Sequence, residues 1–165
     1  MSLRLVVFDV DGCMTNGGIG YDSECKETKI FNVKDGLGIV TLSKMGIKTA
    51  IITGRDSSIV EHRAKELHID YLFQGVKNKL EKLKYILEKE GFGLHETAYI
   101  GDDINDVSIL KRVGYSFAPN DATSYAKSAA KIILDKKGGE GAVREMIEKL
   151  MVECDLKERF VELWV

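Results

Sequence analysis

The stretch RLVVFDVDGCMTNGG, residues 4–18, decides the fold, because an apolar run ends there in two carboxylates. The apolar run is typical of a buried β-strand, and Asp9 and Asp11 follow it directly. Burying unpaired carboxylates costs several kcal/mol, so packing alone does not explain why two acids stand at the end of such a strand. Their position indicates a functional site.

Length and composition indicate one ordinary globular domain. The 165 residues are 44% hydrophobic and 30% charged, and the net charge is −2. Because there is no basic excess, we expect no nucleic-acid partner. The N-terminal apolar run is too short for a membrane span or a signal segment, so no membrane association is expected. Three widely spaced cysteines, Cys13, Cys25 and Cys154, suggest no disulfide framework and favour a reduced, cytoplasmic setting.

Short β-like runs alternate along the chain with segments of helical periodicity. This alternation predicts an α/β fold of the Rossmann type, with a mostly parallel central sheet and helices on both faces. The predicted strands lie in LRLVVFDV, IKTAIITG, DYLFQG, TAYIGD, YSFA and KIIL. The clearest helix has apolar residues at positions 80, 83, 86 and 87 and begins after Asn78, a candidate N-cap.

One region interrupts this alternation. Residues 12–34 contain turn signals and two short β-like runs, GIGYD and TKIFNV, which predict a β-hairpin flap. No other segment is long enough for a second domain, so we expect a single domain over residues 1–165, without a cap domain. The C-terminal tail, about residues 152–165, carries an apolar stripe that should pack on its own domain or on a neighbouring subunit.

Four of the predicted strands end in polar residues. Ligands of open α/β sheets bind outside the carboxyl ends of the strands, so we expect these residues to share one site. They are Asp9 and Asp11; Thr53, Gly54 and Arg55; Lys77 and Lys79; and Asp102, Asp103, Asn105 and Asp106.

These residue types suit phosphoryl transfer. A carboxylate can attack phosphorus, but its charge repels a phosphate dianion, so a hard divalent cation such as Mg²⁺ is needed. Asp9 and Asp102 can supply oxygen ligands, and a lysine and a threonine can hold the transferring oxygens. Asp11 could protonate the leaving group and then activate water.

Each motif alone has a simpler interpretation. Asp-x-Asp also occurs in calcium-like loops and solvated turns, and GDDIND could be an acidic segment that complements a helix dipole. The specificity lies in the ordered set.

The order DVDG, TGR, KNK, GDDIND resembles the haloacid dehalogenase-like hydrolase superfamily over about residues 5–150. The resemblance implies that Asp9 is the nucleophile, that Asp11 is the acid/base, and that the motif threonine and lysine are Thr53 and Lys79, with Lys77 as the rival lysine. It also implies that Mg²⁺ is bound by Asp9, Asp102 and the backbone carbonyl of Asp11. The auxiliary acids would be Asp103 and Asp106.

Further stretches, FNVKDGLGI and GGEGAVREMIEKL among them, resemble the 3-deoxy-D-manno-octulosonate 8-phosphate phosphatases. That resemblance implies a sugar acid phosphate as substrate and a homotetramer with the flap and the C-terminal segment at its interfaces. Two alternatives stay open, a phosphatase of nine-carbon sugar acid phosphates and a non-catalytic oligomerisation module of the kind fused to cytidylyltransferases. A phosphoacceptor signalling domain is a third, although its acids lie on different strands.

Three more residues are candidates for substrate binding beside Thr53 and Gly54. The guanidinium of Arg55 can hold a sugar-acid carboxylate through two hydrogen bonds, and the alternative is a surface pair with Asp56. Lys34 and Asp35, at the base of the flap, are predicted to meet the substrate. The simpler interpretation of Asp35 is that it caps a helix.

Overall fold

The computed structural model describes residues 3–165. Its core is a six-stranded parallel sheet in the order β5-β4-β1-β6-β7-β8. The strands are β1 (Leu5–Phe8), β4 (Lys48–Ile52), β5 (Tyr71–Phe73), β6 (Thr97–Ile100), β7 (Tyr115–Ala118) and β8 (Ile132–Ile133). All six coincide with the predicted runs, and the predicted α/β fold is confirmed.

Helices cover both faces of the sheet. They are α1 (Val33–Lys44), α2 (Ser58–Glu66), α3 (Lys79–Glu90), α4 (Val107–Leu110), α5 (Ser124–Ala129), α6 (Ala142–Glu153) and α7 (Lys157–Glu162). The side chains of β1 alternate between two apolar cores, since Leu5 and Val7 belong to the core that contains α3 residues, and Val6 and Phe8 to the core that contains α1 and α6 residues. This explains why β1 is apolar at every position, as a doubly covered parallel strand requires.

Side-chain caps begin three of the helices, and that of α5 is Thr123, which accepts from the Ala126 amide. Asn78 accepts a hydrogen bond from the Glu81 amide at the start of α3, as the sequence predicts. At the start of α1 the cap is Asn32, which accepts from the Lys34 amide. The interpretation of Asp35 as the cap is therefore wrong. Asp35 lies in the first turn of α1 and accepts instead from the Arg144 amide, 2.8 Å away, in the first turn of α6.

The hairpin between β1 and α1 is shorter than the predicted flap runs. It pairs β2 (Gly20–Tyr21) with β3 (Glu27–Thr28) in antiparallel fashion. The run TKIFNV was expected to be the second strand, but only Thr28 of that run lies in β3. Asn32 is the N-cap of α1 and is still extended, so only the last residue of that run, Val33, already lies in the helix.

The C-terminal segment packs partly on its own domain. Phe160 is buried in the core, the guanidinium of Arg159 donates to the Met45 carbonyl, and the Trp164 indole donates to the Thr41 hydroxyl at 3.0 Å. Lys44 Nζ lies 3.7 Å from the centre of the Trp164 ring. Among the described residues, no helix is long and apolar enough to cross a membrane.

Candidate active site

The sheet order places three polar residues side by side. Strand β1 lies between β4 and β6, and Phe8 is in register with Ile51 and Ile100. Asp9 is therefore level with Ile52 and Gly101, one residue before Thr53 and Asp102, and its amide donates to the Ile100 carbonyl at 3.2 Å. Parallel strands have their carboxyl ends at one edge, so residues 44 and 93 positions away from Asp9 reach the same site.

A cavity of about 260 Å³ opens at this edge of the sheet. Its wall is mostly polar, which suits a charged ligand. The lining residues are Asp9, Asp11, Gly17, Thr53, Gly54, Arg55, Asp102, Asp103 and Asn105.

Lys79, the first residue of α3, lies against Asp9 beneath the cavity. Its ammonium is 2.9 Å from Asp9 Oδ1 and 2.7 Å from Asp106 Oδ1, and its side chain is only 1% exposed. Burial opposes the charged form, but the two carboxylates outweigh it and raise the pKa of Lys79 above its usual value. Lys77 is exposed, so the structure brings Lys79 rather than its rival to Asp9.

Asp106 is fully buried and accepts several hydrogen bonds. Oδ1 accepts hydrogen bonds from Lys79 Nζ and, at 2.5 Å, from the Tyr99 hydroxyl. Oδ2 accepts from the backbone amides of Asp102 and Asp103 at 2.9 and 3.1 Å. The loop after β6 is thereby folded around the carboxylate of Asp106, which turns Asp102 toward Asp9. The side chain of Asp103 accepts from the Ile104 amide.

Asp9 and Asp102 form the donor set for a cation. One ligand atom from each of Asp9, Cys13 and Asp102 lies within 4.8 Å of the others. Burial, together with the charge of Asp106, raises the pKa of Asp9, and burial with the charges of Asp9 and Asp106 raises that of Asp102. Two desolvated carboxylates that repel each other fit a hard divalent cation, which would offset that repulsion.

The third member of that cluster is not an oxygen donor. Cys13 is fully buried, and burial followed by the charges of Asp9 and Asp102 raises the pKa of its thiol well above the ordinary value. A neutral thiol is a poor ligand for Mg²⁺, which prefers oxygen. The residues present therefore fit Mg²⁺ through their carboxylates, and the predicted contribution of the Asp11 carbonyl stays a prediction.

Gly12 leaves room for Asp102. Its φ is +91°, and a Cβ at this position would lie 2.0 Å from Asp102 Oδ2. The residue sits in an irregular turn over Val10–Met14 that follows β1, in which the backbone of Asp11 and Gly12 is not helical. A glycine is needed here both for the left-handed backbone and for the close approach of the carboxylate.

The hairpin contributes charges that the sequence did not reveal. Lys29 Nζ lies 2.5 Å from Asp11 Oδ1 and 3.3 Å from Glu27 Oε1. Arg55 donates to the same Glu27 oxygen at 3.0 Å, so its partner is Glu27 rather than Asp56. Lys29 and Glu27 were not predicted because a hairpin register, which a two-residue strand pair barely specifies, brings them to the site. Tyr99 was missed because it looked like a core aromatic residue.

Lys34 and Asp35 lie away from this cavity. Lys34 lines a separate cavity with Arg144 and Glu148, and the Arg144 guanidinium is 3.5 Å from the Lys34 carbonyl. Asp35 is buried against the start of α6. Their predicted contact with substrate thus has no support from the geometry of one subunit, and it stays a prediction.

Comparison with known proteins shows the family. A profile described as haloacid dehalogenase-like hydrolase matches residues 72–147. The 3-deoxy-D-manno-octulosonate 8-phosphate phosphatase KdsC of Haemophilus influenzae is 38% identical over 150 residues, which are 91% of this chain and 83% of that protein. The protein of that name from Escherichia coli K12 is 39% identical over 151 residues, 92% of this chain and 80% of that protein.

Solved structures agree. The phosphatase of that name from Moraxella catarrhalis, in complex with magnesium ion, phosphate ion and KDO, superposes with a TM-score of 0.94 at 39% identity, covering 99% of this chain and 94% of that one. The cobalt-bound deoxy-D-mannose-octulosonate 8-phosphate phosphatase of Haemophilus influenzae gives a TM-score of 0.90 at 36% identity, and the match covers 96% of this chain and 93% of that one. This chain belongs to the haloacid dehalogenase-like hydrolases, in the branch that contains the KdsC phosphatases.

Proposed function

We propose that this protein is a Mg²⁺-dependent phosphatase that hydrolyses 3-deoxy-D-manno-octulosonate 8-phosphate. The observation that carries the proposal is the convergence of Asp9, Thr53, Lys79 and Asp102 at one edge of the sheet. A relative 39% identical to this chain, with the same fold, is described with magnesium, phosphate and the sugar acid. The nine-carbon substrate and the non-catalytic module are not favoured, because these relatives are named as eight-carbon phosphatases.

Asp9 is the nucleophile in the proposed reaction. One carboxylate oxygen attacks phosphorus, the bond from phosphorus to the sugar oxygen breaks, and an aspartyl-phosphate forms. Lys79 Nζ, 2.9 Å from Asp9 Oδ1, and the buried Thr53 hydroxyl hold the transferring oxygens. Mg²⁺, held by Asp9, Asp102 and the Asp11 carbonyl, neutralises charge on the phosphoryl group when bound.

Asp11 transfers the protons. It gives a proton to the departing sugar oxygen, which turns the alkoxide into an alcohol, and later takes one from the water that attacks the aspartyl-phosphate. That attack restores Asp9 and releases inorganic phosphate. Arg55, on the wall of the cavity, binds the carboxylate of the sugar acid.

The oligomer we propose is a homotetramer with the flap and the C-terminal segment at its interfaces. The hairpin and the chain that follows it carry large apolar side chains that one subunit leaves in solvent, and the end of the chain does the same. These exposed residues are Ile19, Tyr21, Ile30, Val33, Leu163, Trp164 and Val165. Light scattering coupled to size exclusion tests the tetramer, since a monomeric mass would contradict it. A cytoplasmic location is proposed because Cys13, Cys25 and Cys154 are all unpaired.

The function is tested by phosphate release from the eight-carbon substrate with Mg²⁺. Asp9→Asn keeps the shape of the side chain but removes the nucleophile, so turnover should fall by at least about a thousandfold. The matched control is Asp135→Asn in the exposed loop after β8, which lines neither the cavity nor the proposed interfaces and should retain full turnover. Turnover by Asp9→Asn at the wild-type rate would contradict the proposal, as would a higher kcat/KM for a nine-carbon phosphate.

A further inference from the structure

Four charged side chains form a closed group between the hairpin and the active site. Lys29 Nζ bridges Asp11 Oδ1 and Glu27 Oε1 at 2.5 and 3.3 Å. Arg55 joins Glu27 at 3.0 Å, and its Nε is 4.0 Å from Asp11 Oδ2. The group therefore alternates two acidic with two basic side chains.

Lys29 is the most buried member of this group. Its side chain is 1% exposed, compared with 42% for Arg55 and 21% for Asp11. Desolvating an ammonium is costly unless it is paired, and a surface hairpin gives no structural reason to bury one. The burial instead places the ammonium against one oxygen of a single active-site carboxylate.

The contact fixes the rotation of the Asp11 carboxyl group. A charge-assisted hydrogen bond at Oδ1 restrains the side chain about both of its torsions. Oδ2 is 4.0 Å from Arg55 Nε, too far for a hydrogen bond, so this second oxygen is the one that can meet the substrate. Asp11 itself lines the cavity.

We infer that Lys29 is a positioning residue for the leaving-group step, because it holds Asp11 with Oδ2 directed at the departing oxygen. The inference rests on the proposed role of Asp11 as the acid. Catalysis by a positioned acid depends on its distance to the leaving oxygen, so an Asp11 that rotates freely should lose much of its effect. A residue that only stabilised the hairpin would slow all substrates equally.

Two aryl phosphates separate these possibilities. Phenyl phosphate and p-nitrophenyl phosphate have nearly the same shape and carry no carboxylate for Arg55, but phenolate is the more basic leaving group and needs protonation more. kcat/KM reports the steps up to departure of the leaving group. Lys29→Met should lower kcat/KM for phenyl phosphate about tenfold more than for p-nitrophenyl phosphate.

Companion variants complete the test. Asp11→Asn should show at least as large a difference between the two substrates, and Lys29→Arg should recover part of the loss. The matched control is Lys26→Met, because Lys26 lies in the same hairpin but is 72% exposed and pairs only with Glu24. Lys29→Gln is made as well, in case the methionine variant does not fold, and the same difference is expected for it.

The outcomes distinguish the two proposals. If Asp11→Asn lowers kcat/KM more for phenyl phosphate than for p-nitrophenyl phosphate and the Lys29 variants lower both equally, the inference about Lys29 is wrong and the proposed reaction stands. If Asp11→Asn also fails to discriminate, the acid role of Asp11 falls, and the inference falls with it. If the Asp11 and Lys29 variants both lose more kcat/KM for phenyl phosphate, and Lys26→Met does not, the inference is supported.

Discussion

The ammonium of Lys79 lies between two buried carboxylates, 2.9 Å from Asp9 Oδ1 and 2.7 Å from Asp106 Oδ1. The Lys79 ammonium thus joins Asp9, the proposed nucleophile, to Asp106, around which the loop after β6 is folded. Structure and chemistry are coupled at this point, because a residue needed to hold phosphoryl oxygens is also needed to keep two acids together in the core.

Lys79→Met should lower both activity and stability. Removing the ammonium leaves Asp9 and Asp106 buried without their cation, which costs about 3–5 kcal/mol in the free energy of unfolding. Phosphate release should fall by at least about a hundredfold. Urea denaturation and a phosphate assay measure the two effects. Lys77→Met, two residues earlier and exposed, is the matched control and should change neither quantity. Equal effects of the two substitutions would show that the lysine was wrongly assigned.

Gly12→Ala should weaken the binding of Mg²⁺. The new Cβ would overlap Asp102 Oδ2, so the carboxylate has to move away from Asp9. We expect the Mg²⁺ concentration for half-maximal activity to rise by about 10–100-fold, as when groups that orient metal ligands are removed. Isothermal titration of the metal measures the same change without turnover.

Gly46→Ala is the control for the left-handed backbone. Gly46 has φ of +77°, but a Cβ there meets nothing within 4 Å. The substitution Gly46→Ala should lower the free energy of unfolding by about 1–2 kcal/mol and leave the Mg²⁺ requirement unchanged. If both glycine variants shift the Mg²⁺ requirement equally, the close approach to Asp102 is not the cause.

Asp35→Asn should stabilise the protein at neutral pH. Burial raises the pKa of Asp35 to about 6, and Oδ2 is buried without a hydrogen-bond partner. Because the folded pKa exceeds the unfolded one, this carboxyl favours folding below about pH 4, and that contribution is lost as the pH rises through 6. The asparagine variant avoids the loss, so it should gain up to about 3 kcal/mol relative to wild type between pH 4 and pH 8.

Thermal or urea unfolding across that pH range measures the gain. A difference between the two proteins that stays constant with pH would contradict the assignment of Asp35 as a buried carboxyl that resists ionisation. The same variant examines the predicted contact of Asp35 with substrate. The position of Asp35 against the Arg144 amide predicts an unchanged KM, whereas a direct contact would raise it.

The sheet could be predicted because its strands are apolar at consecutive positions, as in residues 5–8, and are separated by helical periodicity. The polar residues at the strand ends could be predicted for the same reason, since parallel strands share one edge. Asp9, Thr53 and Asp102 illustrate this, because each stands within two residues of the end of its strand. Lys79 was chosen over Lys77 through the family resemblance, in which the lysine opens a helix, and Asn78 marks where α3 begins.

Other features depend on contacts that no local pattern encodes. The hairpin strands are two residues long, so neither their register nor the approach of Lys29 to Asp11 could be inferred. Asp106 was expected to be an auxiliary acid, but its four hydrogen bonds depend on how the loop folds around it. The partner of Asp35 lies 109 positions away in α6, so no local pattern pointed to it, and capping of its own helix was the simpler interpretation.

The central claim is that Asp9 carries the phosphoryl group during the reaction. Rapid acid quench of the Asp11→Asn variant with p-nitrophenyl phosphate and Mg²⁺, followed by mass spectrometry of peptides, tests it most directly. This leaving group departs with little help from an acid, whereas loss of the base slows hydrolysis, so the intermediate should accumulate. The account predicts one phosphoryl group on the peptide that contains Asp9, and none when Asp9→Asn is added. Phosphate release without a phosphorylated peptide, or phosphorylation that persists after Asp9→Asn, would contradict it.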